Sequence, residues 1–117
     1  MENTKRVFRG EIWFADLGYD NKLGQEQQGE RPVLIIGNDI GNKNSSCTTV
    51  APITGSGTKA KLDTHQEVQL ESKSTILFEQ VLTISKERLK FRIDKLSTSE
   101  ILEANYRLAI ALGLISC

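Results

Sequence analysis

Gly24-Gln25-Glu26-Gln27-Gln28-Gly29-Glu30-Arg31-Pro32-Val33-Leu34-Ile35-Ile36-Gly37-Asn38-Asp39 is the stretch that fixes how this chain is organised. A polar, Gly-punctuated run ends in one cation, Arg31, and Pro32 follows it. Val33 to Ile36 is apolar and mostly β-branched, the pattern of a buried strand. Asn38 to Asn42 is turn chemistry. The reading puts one guanidinium at the mouth of a loop, on a stiff support. A planar fork of N–H donors held that way suits a phosphate. The plain alternative is a surface ion pair with Glu26 or Glu30.

Outward from this stretch the pattern is mostly β with a helical end. Glu11 to Leu17 alternates, with Ile12 and Phe14 on one face and Trp13, Ala15 and Leu17 on the other. Gly18 to Gly29 is a loop of about a dozen residues, a length that small domains usually keep for function or motion. Thr48 to Ile53 reads as a third strand, and Pro52 predicts an edge position or a bulge there. Thr54 to Lys61 is a second loop. Glu67 to Leu70 is a weak strand. Thr75 to Leu82 reads as one stronger strand, with Ile76, Phe78 and Leu82 opposite Leu77 and Val81. Ser85 to Leu89 suggests one helical turn, and Arg92 to Leu96 a last short strand. Ser97 followed by Glu100 is a capping box that opens a helix. Its apolar face would be Ile101, Leu102, Ala104, Leu108, Ala109 and Leu112, and Gly113 would end it. Several short strands, long loops and one terminal helix describe a small twisted β-barrel with a helix packed on it, a mainly β, α+β fold.

Composition narrows the function. The chain has 117 residues, about one domain, with residues 1–8 expected to be a flexible N-terminal extension. Fifteen acids balance fifteen bases. Wrapping of bulk duplex DNA is therefore disfavoured, although a local patch can still bind a short nucleic acid. The N-terminus has no apolar core after its bases, so it does not read as a signal peptide. No apolar run approaches the ~20 residues of a membrane span. Cys47 and Cys117 are far apart and there is one histidine, which argues against a disulfide framework, a zinc site or any metal. A cytoplasmic location without a cofactor is expected. The run Lys86, Arg88, Lys90, Arg92 and Lys95 reads as a solvated face. Trp13 and Phe14 read as core or dimer contacts.

Six motifs in register resemble the MazF/PemK family of toxin endoribonucleases. They are Arg9-Gly10-Glu11-Ile12-Trp13, the loop–strand from Gln25 to Ile36, Asn38 to Asn42, Lys59-Ala60-Lys61-Leu62 with Thr64-His65, Leu77 with Glu79-Gln80-Val81 and Thr83-Ile84, and Leu112-Gly113-Leu114. The resemblance implies an SH3-like barrel of the plasmid-maintenance-toxin and growth-inhibitor type, and a homodimer. It implies an mRNA interferase that cuts single-stranded RNA at specific sequences without a metal. It also implies a cognate antitoxin whose disordered acidic and apolar tail covers the site. In such a family Arg31 and Thr54 would be the catalytic pair, supported by Glu26 and Glu79. Gln25, Gln27, Asn38, Asp39, Lys59, Lys61, Thr64, His65 and Gln80 would bind RNA. The chain departs from the family's pattern at Leu82, where relatives usually carry a base. The stretch from 66 to 74 is also shorter, and both changes bear on the RNA groove or the dimer seam.

The chemistry is consistent with that inventory. RNA carries its own nucleophile, the 2′-hydroxyl. Using it requires a proton acceptor, a proton donor and stabilisation of a pentacoordinate phosphorus, and leaves a 2′,3′-cyclic phosphate and a 5′-hydroxyl. Arginine scarcely deprotonates, so an electrostatic or acid role suits Arg31 better than a base role. Each residue has a bland reading beside it. Thr54 could cap a turn before Gly55, His65 could be structural, and Lys59 and Lys61 could only solvate a loop. Two other functions share the fold. A gyrase poison of this architecture would act through a C-terminal tryptophan, but the one tryptophan here is Trp13. A non-catalytic SH3-like module would need an exposed aromatic groove.

Overall fold

The alternation that predicts buried strands has its physical outcome in a sheet with apolar side chains on both faces. The computed structural model describes residues 5–19, 27–55 and 62–116. Within them run β1 (Glu11–Asp16), β2 (Glu30–Ile35), α1 (Asp39–Asn44), β3 (Cys47–Thr54), β4 (His65–Gln69), β5 (Lys73–Leu77), β6 (Leu82–Ser85), β7 (Leu89–Lys95) and α2 (Thr98–Ala111). The strands form one curled sheet, a half-barrel in the order β4-β5-β3-β2-β1-β7, with β6 also paired to β3. All pairings are antiparallel.

Because successive side chains point to opposite faces, each central strand feeds two cores. Ile12, Leu34, Ala51, Ile53, Ile76 and Phe78 lie on the face that α2 covers through Ile101, Ala104, Leu108 and Ala111. Trp13, Ala15, Val33, Ile35, Val50 and Ile84 lie on the other, closed by Val7 and Leu89. Of the expected N-terminal extension, residues 1–4 lie outside the described residues, and Lys5 and Val7 are held against the sheet. Val7 is buried, and the Lys5 ammonium donates to the Leu89 carbonyl.

The helix α2 begins as expected. Ser97 Oγ accepts from Glu100 N, and the Glu100 carboxylate accepts from Ser97 N at 2.8 Å. Gly113, in the left-handed region at φ 76°, ends it. Its apolar face is rotated from expectation. Leu102 and Leu112 are exposed, and Ala111 takes the inward position. Gln66 ties the helix to β4 by donating to the Glu100 carbonyl at 3.1 Å.

Four other expectations are corrected. Pro52 lies in the interior of β3 and not on an edge. Along one side of β3, residues 47–50 pair with β6 and residues 53–54 with β5, so Pro52 falls in the gap between two ladders. A residue without an N–H is tolerated where no ladder bond is required. The stretch from Thr75 to Leu82 is two strands joined by a 3-10 turn, Phe78–Gln80. Phe78 is fully buried and plugs the first core, which turns the chain out of β5 and into β6. Asn38 to Asn42 is not a plain turn but the start of α1, with Asn38 Oδ1 accepting from Gly41 N at 2.7 Å. Lys86 is buried, not solvated, and its ammonium donates to the Asn42 carbonyl.

Two substitutions test this packing. Phe78→Ala should cost about 3–5 kcal/mol by opening a cavity in the core, whereas Ser97→Ala should cost about 1 kcal/mol through the lost cap. Urea unfolding of both variants measures the difference.

Candidate active site

Arg31 sits at the start of β2, where its backbone faces Ala15 on β1. On the other side β2 pairs with β3, with Val33 opposite Pro52 as the last rung. Alternation gives Arg31 the same facing as Val33, and Thr54 the same facing as Pro52. One two-residue step past that rung, Arg31 and Thr54 therefore stand on one face, at the same end of two adjacent strands. Thr54 is half-buried and has Thr75 on its far side. It also lines a cleft of about 420 Å3 with Phe14, Pro32, Ile53, Leu70 and Phe91. Phe14 stacks on the exposed Phe91 with ring centroids 5.3 Å apart.

The Arg31 guanidinium is held from behind. Its Nε donates to the Gln28 carbonyl at 2.9 Å. That bond uses one of the five guanidinium donors, and the four on the Nη edge are the ones a phosphate would meet in plane. Partial burial pushes the Arg31 pKa down from its ordinary value. The unfolded chain therefore holds this proton more tightly. The desolvation opposes folding at every pH below the lowered value and is relieved only above it. Glu30, a candidate partner for Arg31, lies instead 3.5 Å from Lys90.

The carbonyl used by Arg31 belongs to a tightly shaped segment. Gly29 adopts φ 77°, a conformation that glycine takes without strain. Gly29 N donates to the Gly18 carbonyl at 2.6 Å, and Leu17 N to the Gly29 carbonyl at 2.9 Å. Gln27 N donates to the Gln80 side chain at 2.8 Å. The 3-10 turn thus reaches one loop through Gln80. It reaches the other through Glu79, whose carboxylate accepts from Thr64 Oγ1 at 3.0 Å and bonds His65 Nε2 at 3.0 Å. The His65 side chain is largely covered and that of Glu79 half-exposed.

The structure therefore gathers Arg31 and Thr54 at one end of the sheet, links Gln27 to Gln80, and groups Thr64, His65 and Glu79. It does not bring Asn38 and Asp39 to Arg31. They follow the opposite end of β2, roughly 20 Å away at about 3.3 Å per residue. Their side chains have local partners there. Asn38 caps α1, and Asp39 Oδ1 accepts from Arg9 N at 2.7 Å. Gln25, Glu26, Lys59 and Lys61 lie outside the described residues. Sequence reasoning missed the Gln28 carbonyl as the support of Arg31. The signal available was Gly29, since a glycine two residues before the cation marks a bend that can turn a carbonyl back on it.

Comparison with known proteins follows this geometry. Residues 8–112 match the family of PemK-like, MazF-like toxins of type II toxin–antitoxin systems. The chain belongs to that family. It is 45% identical to the endoribonuclease MazF of Staphylococcus epidermidis, with 92% of each chain covered. Its fold is similar to that of a mycobacterial endoribonuclease solved in complex with its cognate antitoxin. The TM-score is 0.78 at 22% identity, over 95% of this chain and 99% of that one. It is also similar to MazF from Deinococcus radiodurans, with a TM-score of 0.76 at 16% identity, over 93% of this chain and 98% of that one. The structural likeness establishes the curled half-barrel with its C-terminal helix.

Glu79 offers a test of how local this cluster is. Glu79→Ala removes the shared acceptor of Thr64 and His65, yet the Glu79 carboxylate is half-exposed, so global stability should change by less than about 1 kcal/mol. Urea unfolding checks that value, and side-chain NMR couplings at Thr64 and His65 should show rotamer averaging in the variant.

Proposed function

We propose that this chain is the toxin of a toxin–antitoxin pair and a sequence-specific endoribonuclease that cuts single-stranded RNA without a metal ion. The observation that carries the reading is Arg31, its Nε held by the Gln28 carbonyl and its facing shared with Thr54. Identity of 45% to a MazF endoribonuclease supports the same reading. In the step proposed, the ribose 2′-oxygen attacks the adjacent phosphorus. The 2′-O–P bond forms, the P–O5′ bond breaks, the 2′-proton passes to solvent water, and the 5′-oxygen takes a proton from the Arg31 guanidinium, which solvent then restores. The products are a 2′,3′-cyclic phosphate and a 5′-hydroxyl.

Arg31 stabilises the charge that builds on the phosphorane oxygens. Its lowered pKa makes it a better proton donor than an exposed arginine, which suits protonation of the departing 5′-oxygen. Thr54 donates its hydroxyl to a non-bridging phosphate oxygen. Thr64 and His65 flank this end of the sheet and would meet the strand beside the cut. An antitoxin tail carrying carboxylates would compete with RNA for the same guanidinium. The mycobacterial endoribonuclease of the same fold is solved in complex with its cognate antitoxin. The exposed Leu112, Leu114 and Ile115 at the end of α2 supply apolar surface for a homodimer.

The test is incubation of the purified protein with a long RNA in EDTA. Discrete cuts with cyclic-phosphate and 5′-hydroxyl ends support the proposal. Intact RNA together with trapped DNA–gyrase complexes would replace it with gyrase poisoning, and neither outcome would leave a binding module. Arg31→Lys keeps the charge and loses the planar fork, so kcat should fall about 100-fold or more. Activity near wild type would remove the fork from the mechanism. Thr54→Ala, which deletes one hydrogen bond, should lower kcat by about 10-fold.

A further inference from the structure

The side chain of Gln80 was expected on the RNA path, but it is engaged with the protein's own backbone. It accepts from Gln27 N at 2.8 Å across 53 residues of chain. One residue further on, the Gln28 carbonyl accepts from Arg31 Nε at 2.9 Å. The next residue, Gly29, is bonded through its N–H to Gly18 and through its carbonyl to Leu17 N. Gly18, Leu17 and Arg31 all belong to the β1–β2 hairpin or its connection. Among the described residues, Gln80 supplies a tie from outside it. Its own base is firm. Phe78 in the same turn is fully buried, and its N–H donates to the Thr64 carbonyl at 3.0 Å.

We propose that Gln80 is a positioning residue for the reaction: it anchors the backbone at Gln27, so that the Gln28 carbonyl holds the Arg31 guanidinium in place. The proposal rests on the nuclease reading of Arg31 given above. The physical reason is that Arg has a long, rotamer-rich side chain. One bond at Nε removes most of its freedom only if the acceptor is itself fixed. A loop tied only within its own hairpin moves with that hairpin, whereas a tie to a core-rooted turn sets it against the rest of the sheet, including Thr54 on β3. Loss of the tie lets the guanidinium wander by a distance of the order that costs catalysis about 100-fold.

Gln80→Met keeps the length of the side chain and removes the strong acceptor, while Gln80→Glu keeps an acceptor of the same reach. The two variants are compared with wild type by single-turnover cleavage of a short RNA and by hydrogen exchange at the Gln27 amide. The expected result for Gln80→Met is a kcat lower by about 10- to 100-fold with KM little changed, and faster exchange at Gln27. Gln80→Glu should keep that amide protected. A raised KM with kcat retained in Gln80→Met would make Gln80 an RNA contact and overturn the proposal. So would an unchanged Gln27 amide in that variant. Wild-type protein that leaves RNA intact would instead overturn the nuclease reading, whatever Gln27 does.

Discussion

Everything at the site hangs on β3 having three partners at once. It pairs with β2 along one side, and along the other with β6 and then β5. A strand so enclosed cannot slide, because a slip by one residue would exchange its two buried faces. That constraint fixes Thr54 relative to Arg31, and it explains how a proline can sit mid-strand. The change of neighbour from β6 to β5 creates a stretch where no ladder bond is required, and Pro52 occupies it. The 3-10 turn follows from the same change. The chain must leave β5 and come round to pair as β6, and buried Phe78 holds the corner.

A chain with no net charge that handles a polyanion must concentrate its attraction locally. In the proposed reading Arg31 does this through geometry more than through numbers. It is partly withdrawn from water, and its Nε is committed to the backbone. A cation in that state gains more from meeting a phosphate than a fully hydrated one, because its desolvation has already occurred. Other bases are engaged elsewhere. Lys86 is spent on the Asn42 carbonyl, Lys90 lies beside Glu30, and Arg92 beside Glu11. Of the basic run, Lys86 thus braces the sheet, while Arg88, Lys90, Arg92 and Lys95 are exposed, as a solvated face would be.

Much of this architecture was legible in the residues. The period-2 alternation around Trp13, the apolar β-branched run from Val33, the capping box at Ser97 and the Arg-Pro step led directly to β1, β2, α2 and the candidate guanidinium. What failed did so for tertiary reasons. Thr75 to Leu82 has unbroken β-propensity, and only the need to change partners breaks it at Phe78. Lys86 looked solvated because spacing cannot show that a helix-end carbonyl waits beneath it. Leu102 and Leu112 looked buried because an apolar residue on a helix does not say which of two stripes the sheet will take. At the site, side-chain chemistry pointed to Arg31, and the family resemblance added Thr54. The backbone carbonyl of Gln28 has no letter in a sequence and could not be found that way.

The pairing of β1 with β7 has a consequence for how the molecule comes into being. Glu11 and Arg92 lie 3.4 Å apart in space and 81 residues apart along the chain. Contacts of that span form late and slowly, because a large loop must close before they repay the entropy. During synthesis the early strands therefore wait, unroofed, until the last strand has left the ribosome. A copy whose translation stops before β7 lacks one side of β1 and the Leu89 that seals the second core. Such a fragment offers an open strand edge to proteases and aggregation instead of a finished catalytic surface.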